Sequence, residues 1–328
     1  MADIIGKFIE RHGEDVLEAL LVDQTTHRNI IWADNEYSDH GYGFDCMDEI
    51  SISQLTGKYA GLIRTRADKA MESQSQRTRV HAEVFTPAWL CNRMNNDIDR
   101  EWFGKDVFTV DEGKTWKRID KRIAFPKVKG HGWKPYVESP RLEITCGEAP
   151  FICSPYDTVT GEPIEVADRI GFLDRKLRVV SEHARSRGAW FREALVALKA
   201  TYGYEYQGDN LLLARINVFE TICDHCAAQW GDGLSEDEKQ KIADVISWNL
   251  WQMDGLTRAV PIDAVDSATH SVLAEHVHDE LNTVEPFMET LFDFDDEPIQ
   301  PALPSSPLCL IYDWEEDKPI EFASLGGR

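Results

Sequence analysis

Three short apolar runs, each carrying an acid at or just past its end, constrain this chain more than any other feature. They are "RLEITCGEAPF" from 141, "GYEYQGDN" from 203 and "NLWQMDGL" from 249. The apolar part of each is only strand length and is followed by a turn. Between them lie "GFLDRKLRVVSEHARSRGAWFREALVALKA" and "NLLLARINVFETICDHCAAQWG", with apolar residues at three- and four-residue intervals. The capped segment "SEDEKQKIADVISWN" leads into the third run. Strands that alternate with helices give an α/β core with parallel strands. The expected fold class is therefore α/β, three-layer, with a mostly parallel sheet.

Sheets of that kind bind ligands at the carboxyl ends of their strands. The first strand delivers Cys146-Gly147 to a tight turn, where Gly147 lets the backbone approach a ligand without a Cβ. Glu143, just before it, is placed to accept hydrogen bonds from an ammonium or a water. In the second run Glu205 follows Tyr204, and a carboxylate there suits both hydroxyls of a ribose. Taken singly, each acid reads first as a solvated surface residue.

Taken in order, these segments carry a resemblance. The chain resembles the amino-type, adenine-N6 DNA methyltransferases of restriction-modification systems over roughly residues 84–260. "VFTPAWLCNRM" resembles the family's opening segment with Phe85, Thr86 and Pro87. "EITCGEAPF" is similar to its glycine-rich cofactor loop at Glu143, Cys146, Gly147 and Phe151. "GYEYQGDNLLLARIN" resembles the segment around its ribose-binding acid, here Glu205, and ends on Arg215 and Asn217. The resemblance implies S-adenosylmethionine as cofactor. Thr86 would lie near its methionine part, Glu143 near its amino group, Glu205 on the ribose and Asp254 near the adenine amine. Three departures accompany it. Ala149-Pro150 replaces the loop's second glycine, and an insertion over roughly 158–187 lengthens the path to Glu205. No Pro-Pro occurs anywhere, so the family's Pro-Pro-aromatic catalytic segment is absent. Two functions follow as expectations. One is a restriction-modification component that modifies adenine with a partner; the other is a silent relative that binds proteins through its acidic surface.

Charge bears on partners. The formal net charge is −23, and residues 263–328 hold 16 acids against Lys318 and Arg328. So acidic a chain does not hold nucleic acid non-specifically, because that binding comes from Lys and Arg displacing counterions. A DNA site would have to be local. The basic stretch 64–79, with Arg64, Arg66, Lys69, Arg77 and Arg79, is the candidate, its alternative being a solvated face. A protein partner is expected.

The expected organisation is a mixed helix and strand segment over 1–83, the methyltransferase-like domain over 84–262, and an acidic segment over 263–328. That last segment includes a helix-like piece near 265–292, a linker and a final strand pair. Thr86-Pro87 reads as a helix start, with Leu90, Met94 and Ile98 on one face, and Asp209 reads as the cap of another helix. No apolar run approaches the roughly 18–20 residues of a membrane helix, and the amino terminus lacks a signal-peptide pattern. A cytoplasmic protein with seven reduced cysteines is expected. "CDHC" at 223–226 offers three metal-type side chains but no second pair, and "DFDDE" at 293–297 reads as a solvated acidic run, so no metal is assigned.

Overall fold

The computed structural model describes residues 3–69, 86–262 and 306–327. Helices α1 (Ile4–His12) and α2 (Glu14–Leu21) come first, then a two-stranded ribbon of β1 (Val22–Asp23) and β2 (Arg28–Asn29). Helix α3 (Ala88–Phe103) is followed by a second antiparallel pair, β3 (Thr109–Asp111) and β4 (Trp116–Arg118), and by the short α4 (Trp133–Glu138).

The central unit then forms from the three apolar runs. Strand β5 (Arg141–Ile144) leads through α5 (Phe172–His183) and α6 (Arg187–Lys199) to β6 (Thr201–Glu205). From β6 the chain runs through α7 (Gly208–Trp230) and α8 (Glu236–Asn249) to β7 (Leu250–Gln252). All three strands are parallel and lie in the order β5-β6-β7. An α/β arrangement with a parallel sheet is thus present. The final strand pair is an antiparallel hairpin, β8 (Leu310–Asp313) and β9 (Lys318–Glu321).

Both crossovers step in the same direction across the sheet. Right-handed connections then place α5 to α8 on one face. The apolar core on that side is continuous, from Phe8, Leu17 and Leu20 through Cys146 and Ile152 to Phe219 and Leu250. The other face carries a separate cluster, in which Tyr204 and Trp251 pack with Cys309, Ile311 and Phe322 of the hairpin region. Helix α7 is buried almost all round over its first three turns, as a central helix must be. Its start is fixed by a close approach: a Cβ on Gly208 would lie 2.0 Å from the Ile31 carbonyl oxygen.

Several local readings change. Gln207, not Asp209, is the N-cap of α7. Helix α8 does start on the Ser235–Glu238 capping box that its sequence announces. The extra length between β5 and Glu205 is irregular chain over 154–171 plus one additional helix, α5. In α3 the apolar stripe is not the buried one. Met94 and Ile98 are 47% and 48% exposed, while Cys91, Asn92, Asn95, Asn96 and Asp99 are buried. The reason is a buried polar network: Asp99 pairs with Arg141 and Arg175, and Asn92 and Asn96 accept the Thr109 hydroxyl. The helix-like piece near 265–292 and the acidic run 293–297 lie outside the described residues, as do Phe85, Arg77 and Arg79.

Candidate functional site

Glu143 and Glu205 stand on neighbouring parallel strands, near or at their carboxyl ends. The side chain of Glu143 points under the loop that follows it. Its two carboxylate oxygens accept the N–H groups of Phe151 at 3.4 Å and Ile152 at 3.1 Å. Burial pushes its pKa well above the ordinary carboxylate value, the two N–H groups oppose this, and the negative charge of Glu205 adds to the rise.

Glu205 ties the two strand ends together. Its Oε2 accepts the Gly147 N–H at 2.8 Å, and its Oε1 accepts the Gln207 N–H at 3.2 Å. The loop between is wound tightly: Thr145, Gly147 and Ala149 have φ of 50°, 52° and 67°. These left-handed values favour glycine. Ala149 therefore adopts the backbone that a glycine would take there, even though it is an L-residue followed by Pro150. Cys146 is buried in the loop, and burial raises its thiol pKa well above normal.

Other expected site residues converge on this end of the sheet. Thr86 and Pro87 precede α3, whose first N–H, from Ala88, is taken by Asp157 at 2.8 Å. The Thr86 carbonyl accepts the Thr158 hydroxyl at 3.2 Å. The segment that resembles the family's opening therefore lies against the continuation of the loop. Phe151 is half-buried and packs against the main core. Asp254 follows β7 by two residues and closes its own turn, accepting the Leu256 N–H at 2.8 Å. The three acids thus follow or sit in three adjacent strands.

The basic stretch comes to the same place. The Arg66 backbone N–H is held by Glu148 Oε1 at 2.6 Å, and the Lys69 ammonium lies 3.2 Å from Asp209 Oδ2 in a buried ion pair. Tyr37 donates its hydroxyl to the same Asp209 oxygen at 2.7 Å. Arg64 is half-buried, with its Nε on the Gly61 carbonyl. The described part of the basic stretch is thus anchored on the loop after β5 and on the first turn of α7.

Sequence reasoning missed Glu148 and Tyr156, and read Asp209 only as a helix cap. Glu148 is 1% exposed, accepts the Tyr156 hydroxyl at 2.8 Å, and its carbonyl takes the Asn217 amide. A run of Gly-Glu inside a strand-to-helix loop was the available signal. Arg215, matched by resemblance, acts structurally: it is fully buried and donates to the carbonyls of Leu20, Val22, Ser247 and Leu250. Burial pushes its pKa down to about 10.

The "CDHC" side chains are used internally. His225 sits 3.0 Å from Asp174 and Cys226 is buried. Among the described residues no group of three or more His, Cys, Asp or Glu is placed to hold a metal. All seven cysteines are free thiols. No helix among those residues is long and apolar enough to cross a membrane. Two cavities are formed by the described residues. One, of about 180 Å³, is lined by Arg118, Arg169, Arg175 and Arg178 with His225 and Asp174. The other, of about 210 Å³, is lined by Thr65, Asp68, Tyr156 and Asn217. Neither is lined by Glu143 or Glu205. Compared with models of protein families, with curated proteins and with solved structures, the chain matches none.

Proposed function

We propose that this chain is a methyltransferase-like component of a DNA restriction-modification system that binds S-adenosylmethionine at the ends of β5 and β6. The observation that carries the reading is the link between Glu205 and Gly147. An acid closing the second parallel strand is hydrogen-bonded to the glycine of the loop that closes the first. The residues fit a cofactor of this type. Glu205 is an acceptor suited to ribose hydroxyls, the Thr145–Ala149 backbone offers a tight cradle, and the buried carboxylate of Glu205 favours a ligand carrying positive charge. The cofactor's activated methyl group would be the chemical supply; these residues bind and orient it.

The second reading, a silent relative kept for protein binding, is favoured by the missing Pro-Pro-aromatic segment. Calorimetry with S-adenosylmethionine and S-adenosylhomocysteine tests the pocket. Weak binding is expected for the native protein. Glu205→Ala should weaken it by about 1.5–3 kcal/mol, the range for hydrogen bonds to a charged group, with Glu205→Gln losing less. No heat and no thermal shift at millimolar ligand would remove the cofactor from the proposal.

A further inference from the structure

The two edges of the parallel sheet are finished differently. At β7, the Gln252 side chain accepts the Ile31 N–H at 2.9 Å and donates to the Ile31 carbonyl at 2.8 Å, so the segment around residue 31 covers that edge. Strand β5 is the opposite edge. The Arg141 N–H reaches the Ala200 carbonyl on the β6 side, so strand alternation turns the N–H and C=O of Leu142 and Ile144 outward. Among the described residues nothing pairs with them. Their side chains are also bare, 40% and 66% exposed. The matching positions on β6 and β7, Tyr204 and Trp251, are covered by the hairpin region. Helix α3 is held beside β5 by the 2.7 Å ion pair of Asp99 with Arg141, and it turns Met94 and Ile98 outward as well.

Parallel strands are normally buried on both faces, and an open apolar edge is a liability. A sheet whose strands run in chain order with all crossovers on one face is half of a doubly wound sheet. Its continuation lies past the first strand, with helices on the opposite face, and the ligand crevice forms at that junction. We infer that a second, basic polypeptide adds a parallel strand to the β5 edge and covers Leu142 and Ile144, completing the crevice beside Gly147. Two features select this occupant over a second copy of the chain. A two-fold axis would pair β5 with itself antiparallel, and two chains of net charge −23 repel each other. The inference rests on the sheet and stands independently of which cofactor the crevice holds.

The test uses the full chain. In isolation it should sediment as a monomer, and hydrogen exchange should show the Leu142 and Ile144 amides unprotected beside slower Arg141 and Glu143. A photo-crosslinker at position 144, in lysate of the native source, should then join the chain to one polypeptide of positive net charge. Capture should fall at least tenfold in Leu142→Lys and Ile144→Lys, and persist in Leu256→Lys, an exposed apolar control elsewhere on the surface. Unchanged thermal unfolding of these variants establishes that they fold. A homodimer broken by Ile144→Lys, protected Leu142 and Ile144 amides in the isolated monomer, or no crosslinked polypeptide would each overturn the inference.

Discussion

Glu143 carries a cost that pH exposes. Its carboxyl is buried under the loop it supports, and burial raises its pKa well above 4.5. For an acid with a raised folded-state value, the native protein holds the proton over a range where the unfolded chain has lost it. Its contribution to stability is therefore full below about pH 4.5 and is lost as pH rises through the folded value. Glu143→Gln mimics the protonated form and should flatten this decline above pH 4.5, which urea titrations at several pH values would show. An unchanged slope would mean that the carboxylate is solvated after all. The same loop stores strain at Thr145, a β-branched, exposed residue at φ 50°. Thr145→Gly should stabilise by up to about 1 kcal/mol, the left-handed penalty less the entropy that glycine adds to the unfolded chain. A denaturant midpoint that rises with an unchanged slope is the expected readout.

At the scale of elements, α3 shows what one-dimensional hydropathy cannot carry. Leu90, Met94 and Ile98 are spaced as a core face, yet the helix buries its polar side. Asp99 accepts Arg141 and Arg175 at 2.7 Å each and the Tyr136 hydroxyl at 2.9 Å. Asn95 donates to the carbonyls of Phe151 and Ile170, and Asn92 and Asn96 accept the Thr109 hydroxyl. Removing Asp99 leaves a fully buried guanidinium without its anion, so Asp99→Ala should cost about 3–5 kcal/mol. Equilibrium unfolding would measure it, and a loss below 1 kcal/mol would mean that the network reorganises. These partners lie tens of residues away along the chain, so no local pattern announces them. The Ser235–Glu238 cap and the β6 turn into α7 were legible because their signals sit within a few residues. The acids at the strand ends were legible because strand, acid and turn are contiguous. Glu148 and Asp209 were not, since what distinguishes them is burial against Arg66, Lys69 and Tyr37 from a distant segment.

At the scale of the whole molecule, charge and the open β5 edge bear on the same outcome. The chain alone is expected not to methylate adenine in duplex DNA. An adenine amine is a weak nucleophile because its lone pair is delocalised into the ring, so its attack on a sulfonium methyl needs acceptors that orient it and hold it in line. In the adenine methyltransferases that the proposal invokes, a proline-rich loop supplies them. Here no Pro-Pro exists, and among the described residues no strand continues the parallel sheet past β5. Duplex binding faces its own obstacle. The net charge of −23 opposes phosphate, and the Lys69 ammonium is already engaged by Asp209. Labelled S-adenosylmethionine and mixed-sequence duplex at low salt, with the pure protein and again with lysate of its source, separate the alternatives. Background-level label with the pure protein, rising on addition of lysate and falling again with Ile144→Lys, is the outcome expected of a crevice completed from outside. Robust transfer to adenine by the pure chain would instead place the acceptor set within these 328 residues.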